Sequence, residues 1–309
     1  MKALVGYTGF VGSNLTLSTR FDGMYNSKNV IDAYGTKPEL LIYAGVPAEK
    51  YLANKAPEKD LAVIKQAEEN IMRIAPKKLV LISTIDVFTD SVGVDETTVP
   101  TENSNSYGEN RRELEIWTRN HYADALIVRL PALFGVNIKK NFIFDIINPI
   151  PFRLSDELFS KFSSKKPKLK EYYKSEGNGF FQLIEINREQ KKIVREIFKQ
   201  LDFSALNFTD SRSSYQFYPL ARLWKDIETA LKNDLRLFHT ATESVTAGEL
   251  YEKVMGKKFI NELNKVPMKY DFRTCYGDLF GGCNGYIIKK DDVICAIGGF
   301  IRGYGDCCY

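Results

Sequence analysis

Through residue 135 the chain alternates between two hydrophobic periodicities, and that alternation restricts its fold more than any other feature. Ala3-Leu4-Val5, Leu40-Leu41-Ile42-Tyr43, Leu79-Val80-Leu81-Ile82 and Ala125-Leu126-Ile127-Val128 are short continuous apolar runs. A strand with no polar face must be covered on both sides, as inside a parallel sheet. Between the runs, Leu61, Ile64, Ala67, Ile71 and Ile74 recur at helical spacing, as do Leu114, Trp117 and His121. Strands alternating with helices of this length predict right-handed βαβ units and a doubly wound parallel α/β sheet.

After Gly135 the pattern changes. Residues 141–150 read as a short helix ended by Pro149 and Pro151, and 153–179 as an excursion rich in Lys, Ser and Glu that closes at Gly177-Asn178-Gly179. Helical spacing returns at Ile193-Val194-Ile197-Phe198 and again through Phe217, Leu220, Leu223, Trp224, Ile227 and Leu231, with Ala205-Leu206-Asn207-Phe208 as a possible strand between. Thr246-Ala247-Gly248-Glu249 has the form of a capping box, so a helix is expected to start there. The last expected helix carries Val293, Ile297 and Phe300 and gives way to a glycine-rich tail from Gly303. The expected layout is a nucleotide-type domain over 1–138, rejoined by about 186–234. Residues 139–185 and 235–309 would form a smaller, discontinuous C-terminal substrate lobe.

Composition narrows the function classes. With 44% hydrophobic and 27% charged residues in 309, the chain has ample material for a core and does not read as disordered. The net charge of +4 is interspersed, and Lys165-Lys166-Pro167-Lys168 is the one short basic cluster, so no nucleic-acid partner is expected. The Lys-rich stretch 161–174 reads as a solvated helical face. Two distant histidines, His121 and His239, leave little for a zinc site. All five cysteines (Cys275, Cys283, Cys295, Cys307, Cys308) fall in the last 35 residues, without a C-x-x-C pair. They are expected to be free thiols in a packed C-terminal element of a reduced, cytoplasmic protein, with no metal. No apolar run reaches the ~18 residues of a membrane helix. Met1-Lys2-Ala3-Leu4-Val5 runs straight into a glycine pattern with no cleavage-type sequence, and reads as a strand.

That pattern is Gly6-Tyr7-Thr8-Gly9-Phe10-Val11-Gly12, placed between the first strand and the first helix. Its glycines serve a tight turn, close approach of the backbone to a pyrophosphate, and close helix–strand packing, while the helix N-terminus offers free N–H groups to phosphates. This predicts a Rossmann-type dinucleotide site including Gly6, Thr8, Gly9, Phe10, Val11 and Gly12. At the end of the second strand an acidic side chain would bind the adenosine ribose. Asn26, Ser27 and Lys28 stand there instead, and Asp22 lies at the wrong end. The cofactor is therefore expected to be NAD(P), leaning toward NADP(H).

Four later segments extend the pattern. Ser83-Thr84-Ile85-Asp86-Val87-Phe88, Tyr107-Gly108-Glu109-Asn110-Arg111, Arg129-Leu130-Pro131-Ala132-Leu133-Phe134-Gly135 and Asn141-Phe142-Ile143, with the G-x-x-G-x-x-G spacing, resemble the extended short-chain dehydrogenase/reductase family. The likeness covers about the first 145 residues well, and within the family it is nearest to the dTDP-4-dehydrorhamnose reductases and other nucleotide-sugar enzymes. It implies Tyr107 as general acid/base, Thr84 as a hydrogen-bond partner of the same substrate oxygen, and a cation one helical turn after Tyr107. It also implies further cofactor contacts at Ala44, Gly45 and Pro131, substrate contacts at Asp86, Asn141 and Arg212, and a possible homodimer.

The chain departs from the family at three points. Arg111 replaces the family's lysine, and arginine is bulkier, planar and differently hydrogen-bonded. The Asp-Glu pair of the dehydratases reads Ile85-Asp86, and no cysteine precedes Cys275 to serve a Cys/His epimerase. The implied activity is carbonyl reduction, alcohol oxidation or hydride-out, hydride-back epimerisation of a nucleotide-linked sugar. Two alternatives stay open: a weakened or non-catalytic NAD(P)-binding protein with a sensing or assembly role, and a reductase of a small non-sugar carbonyl.

Overall fold

The computed structural model of the chain describes residues 1–102 and 105–306. Its strands β1 (Lys2–Val5), β2 (Gly23–Tyr25), β3 (Leu40–Tyr43), β4 (Leu79–Thr84), β5 (Leu126–Leu130) and β6 (Leu237–His239) form one sheet in the order β6-β5-β4-β3-β1-β2. Every pairing in it is parallel. The register aligns Leu4, Ile42, Val80 and Leu126 across four strands. These side chains feed one apolar core, and their sequence neighbours Ala3, Leu41, Leu79 and Ile127 feed a second core on the opposite face. Two cores served by alternate residues explain why the strands show no polar face.

Helices α1 (Phe10–Ser18), α2 (Lys50–Lys55), α3 (Pro57–Ile74) and α4 (Ser106–His121) follow the strands. The apolar stripe of α3, through Ile64, Ala67, Ile71 and Ile74, joins Leu114 of α4 in one core, while Leu15 of α1 and the helix Leu223–Lys232 supply the other. The expected doubly wound α/β architecture is thus present. The order reverses between β2-β1 and β3, which puts the loop after β1 at the switch point where such sheets bind ligands.

The chain divides into two compact units. The first comprises Met1–Ile138, Ser214–Val245 and Met268–Ile297, and the second Lys139–Ser213, Thr246–Pro267 and the segment from Gly298. The return to the first unit comes at Ser214 instead of about 186, because helix Arg188–Gln200 packs Val194, Ile197 and Phe198 into the second unit's own core with Phe162 and Tyr173. Residues 235–245 and 268–297, expected in the lobe, belong to the first unit: β6 extends the sheet, and Phe280 and Ile287 enter its core.

Three local expectations are corrected. Ala205–Phe208 is a 3₁₀ turn rather than a strand, closed by Asn207 Oδ1 accepting from the Ser204 N–H at 2.7 Å. Phe217–Pro219 is a strand paired with Ala132–Phe134, and helix begins only after it. The last helix, Lys290–Asp306, continues through Gly303. Thr246 caps its helix as expected, its hydroxyl accepting from the Glu249 N–H at 3.1 Å. Cys275 and Cys295 are exposed rather than packed, and Cys307 and Cys308 lie outside the described residues. No helix among the described residues is long and apolar enough to cross a membrane.

Candidate active site

The glycine loop is built for close approach. Gly6 has φ +94°, and a Cβ there would lie 2.3 Å from the Ala44 carbonyl oxygen, while one on Gly12 would lie 2.1 Å from the Gly6 carbonyl oxygen. Neither position admits a side chain. Gly9 differs, since its Cβ would meet only the Gly6 oxygen at 3.3 Å, and together with Thr8 it is exposed at the tip of the turn. Phe10 and Val11 are half-buried and packed on the core. The α1 N-terminus has no side-chain cap and no acid in its first turn, so its N–H groups and positive dipole end are left for an anion.

At the β2 exit, Asn26 Oδ1 accepts from the Lys28 N–H at 2.9 Å and the Asn26 N–H donates to Asn29 Oδ1 at 2.8 Å. This tight turn leaves Ser27 and Lys28 exposed. Asp22 is occupied at the other end of the strand, accepting from the Lys2 N–H at 2.6 Å. The glycine loop is thus a backbone-lined cradle at Gly6 and Gly12, and the β2 exit at Asn26–Lys28 carries no carboxylate. Gly45 and Pro131 are half-buried at the exits of β3 and β5.

Thr84 ends β4, and its hydroxyl accepts from the Asp86 N–H at 3.2 Å, turning the chain through a short 3₁₀ segment. Tyr107 enters from the first turn of α4, where Asn105 caps the helix by accepting from the Tyr107 N–H at 3.1 Å. The Tyr107 side chain is buried beside Thr84, Asp86 and Arg111. Burial pushes its phenol above the usual range, chiefly by desolvation, with Arg111 and the Thr84 hydroxyl opposing and Asp86 and Asp60 adding to the rise. Arg111 lies one turn further along α4, its guanidinium carbon 3.9 Å from the Tyr107 ring centre. It donates to both oxygens of Asp60, to the Pro47 carbonyl at 2.8 Å and to the Tyr107 carbonyl at 3.2 Å.

Asp86 pairs with Lys50 at 3.0 Å and accepts from the Tyr270 hydroxyl at 3.3 Å. These three residues, with Phe88, Asn105 and Lys269, line a cavity of about 230 Å³. The β3 exit loop joins the two halves of the site. Ala44 packs on Gly6 of the phosphate loop, and three residues later Pro47 accepts from Arg111.

Behind the site lies a buried polar chain. Glu115, two turns after Tyr107, accepts from Ser83 Oγ at 2.5 Å and from Arg129 Nε at 3.0 Å, and Arg129 Nη1 lies 3.2 Å from His239 Nε2. It ties α4 to β4, β5 and β6. The four-residue spacing of Tyr107, Arg111 and Glu115 puts all three on one helix face, a signal present in the sequence.

Asn141 and Arg212 belong to the second unit. Asn141 has φ 97° and caps helix Phe142–Ile147, accepting from the Ile143 and Phe144 N–H groups at 3.0 and 3.2 Å. Arg212 is held by Asp210 at 2.7 Å and Glu262 at 3.0 Å. Gln216 nearby is buried, donating to the Phe272 carbonyl at 2.8 Å and accepting from the Phe272 N–H at 2.8 Å.

No family model and no curated protein matches the chain. Solved structures do. A dTDP-4-dehydrorhamnose reductase from Yersinia enterocolitica aligns over 97% of this chain and 98% of its own, with TM-score 0.64 and 13% identity. The Bacillus anthracis enzyme of the same name, in complex with NADP, aligns over 98% and 99% with TM-score 0.63 and 16% identity. A UDP-glucose 4-epimerase from Thermotoga maritima, with UDP-glucose, aligns over 98% and 99% with TM-score 0.61 and 12% identity. At these identities the likeness is one of fold: the chain has the fold seen in these dTDP-4-dehydrorhamnose reductases and this UDP-glucose 4-epimerase.

Proposed function

We propose that the chain is an NAD(P)-dependent oxidoreductase that reduces a carbonyl on a nucleotide-linked sugar, with Tyr107 as the proton donor. The carrying observation is the buried phenol beside Thr84, whose protonated form desolvation favours further. A nicotinamide dinucleotide, when bound, supplies the hydride. Gly6, Gly9, Gly12 and the α1 N-terminus would hold its pyrophosphate, with Thr8, Phe10, Val11, Ala44, Gly45 and Pro131 around it. Asn26, Ser27 and Lys28 favour NADP(H). Thr84 orients the sugar oxygen and Tyr107 gives it a proton, a step that such a positioned acid accelerates by about 10²–10⁴-fold.

Asp86 with Lys50 borders the space open to a sugar, and Asn141 is a further proposed substrate contact. Arg212, between two carboxylates, has the least charge left to offer a diphosphate. A homodimer is part of the same proposal and is read by light scattering. The Arg111–Asp60 pair favours one rival, a dinucleotide-binding protein without turnover. A panel of nucleotide-linked keto sugars with NADPH and NADH separates the two: turnover that Tyr107→Phe abolishes while dinucleotide binding persists supports the enzyme, and binding without turnover supports the rival.

A further inference from the structure

Four donated hydrogen bonds hold the Arg111 guanidinium: two to Asp60, one to Pro47 and one to the Tyr107 carbonyl. The Asp60 carboxylate also accepts from Asn110 Nδ2 at 2.8 Å, and the side chains of the ion pair are only 5% and 12% exposed. Such a bidentate, partly desolvated pair is geometrically fixed. The Asp60 carboxylate opposes the Arg111 charge, which by itself would stabilise phenolate. The other groups facing Tyr107 come from the β4 exit: Thr84, and Asp86, which is itself bound to Lys50 of α2 and to Tyr270. Among the described residues, each cation near the phenol, Arg111 and Lys50, is paired with a carboxylate.

We infer that Asp60 is a positioning residue which, by gripping Arg111, stores Tyr107 in its acid form and so weights the site toward proton donation, leaving oxidation to alkaline pH. The inference rests on Tyr107 being the acid/base group of the proposed reaction. In the reductive step the Tyr107 O–H bond breaks as its proton passes to the carbonyl oxygen, which takes up the C=O π pair while the carbonyl carbon would receive hydride from a bound dihydronicotinamide. A phenolate remains, to be reprotonated from solvent. In the oxidative step the phenolate would have to be present beforehand, and the Asp60 carboxylate disfavours it.

The test is the ionisation of Tyr107 itself, followed by tyrosine ring-carbon NMR in the dinucleotide-free protein and assigned by the signal lost in Tyr107→Phe. Asp60→Asn should move the Tyr107 midpoint down by about one pH unit, and Arg111→Met should move it up by a similar amount. Residues with a merely structural role would give no such opposed pair. Both variants shifting Tyr107 the same way, or neither shifting it, overturns the inference. If Asp60→Asn does not fold, Arg111→Met decides alone, and an unchanged or lowered midpoint overturns it. Opposed shifts without turnover on any keto sugar support the charge-setting role of Asp60 and count against the proposed reaction, whereas turnover with an unmoved midpoint does the reverse.

Discussion

Arg111 stacks its guanidinium 3.9 Å from the centre of the Tyr107 ring while directing two of its hydrogen bonds to Asp60. The cation one turn after the tyrosine is present, yet it meets the ring face and a carboxylate of α3. This arrangement separates the site from one in which a free ammonium faces the phenol, and it gives the pH dependence a definite sign.

Reduction requires the protonated phenol, and the folded protein raises that group's pKa. Reductive kcat should therefore hold from neutral pH up to the ordinary phenol range near ~10 and fall only above it. The check is a pH–rate profile with Tyr107→Phe as the blank; a fall beginning near neutrality contradicts the expectation.

The two kinds of glycine in the phosphate loop should part in their effects. Gly12→Ala, whose Cβ would sit 2.1 Å from the Gly6 carbonyl oxygen, should lower the melting temperature. Gly9→Ala, with its nearest contact at 3.3 Å, should leave melting nearly unchanged and weaken dinucleotide binding, as seen by calorimetry.

The buried Glu115–Arg129 pair should behave as a unit. Arg129→Met strands a carboxylate that is almost fully buried, and should cost about 3–5 kcal/mol in urea unfolding. Glu115→Met combined with Arg129→Met should cost less than the single change. An additive double variant would show that the two charges are not coupled.

His239 should report on the same chain. Burial and the neighbouring Arg129 lower its pKa from 6.5 to about 3, so the fold holds it neutral. Protonation then favours the unfolded chain: this contribution to stability is complete above pH 6.5 and is lost as pH falls toward 3. His239→Gln should flatten the stability profile across that window, measured by urea midpoints.

The sheet's central strands were legible because strands covered on both faces are mostly apolar, and Leu79–Ile82 and Leu126–Val128 are short continuous apolar runs. β6 was not. It is three residues long and ends in His239, which is tolerated inside only because Arg129 and the Arg273 carbonyl pair with its two ring nitrogens. Ala205–Phe208 has an apolar, strand-like composition, but Ser204 and Asn207 close it as a turn.

The glycine loop could be found from its spacing after the first strand, and Thr84 and Tyr107 from the family resemblance. Asp60 could not: it reads as an ordinary acid complementing the α3 dipole, and its partner stands 51 positions away. Lys50 and Tyr270 meet at Asp86 only through the tertiary fold, with Tyr270 184 positions from that carboxylate. Arg212 was the least readable candidate, since it looked available in the sequence and is held by Asp210 and Glu262 in the structure.

The central claim is that Tyr107 donates the proton in a hydride reduction. Oxidation of NADPH measured against a panel of nucleotide-linked keto sugars, for the wild-type protein and Tyr107→Phe, tests it most directly. The expected result is turnover by the wild type and a loss of about 10²-fold or more in kcat for the variant, with dinucleotide affinity unchanged. Turnover undiminished in Tyr107→Phe, or a wild-type protein that binds NADPH and oxidises it with no member of the panel, would contradict it.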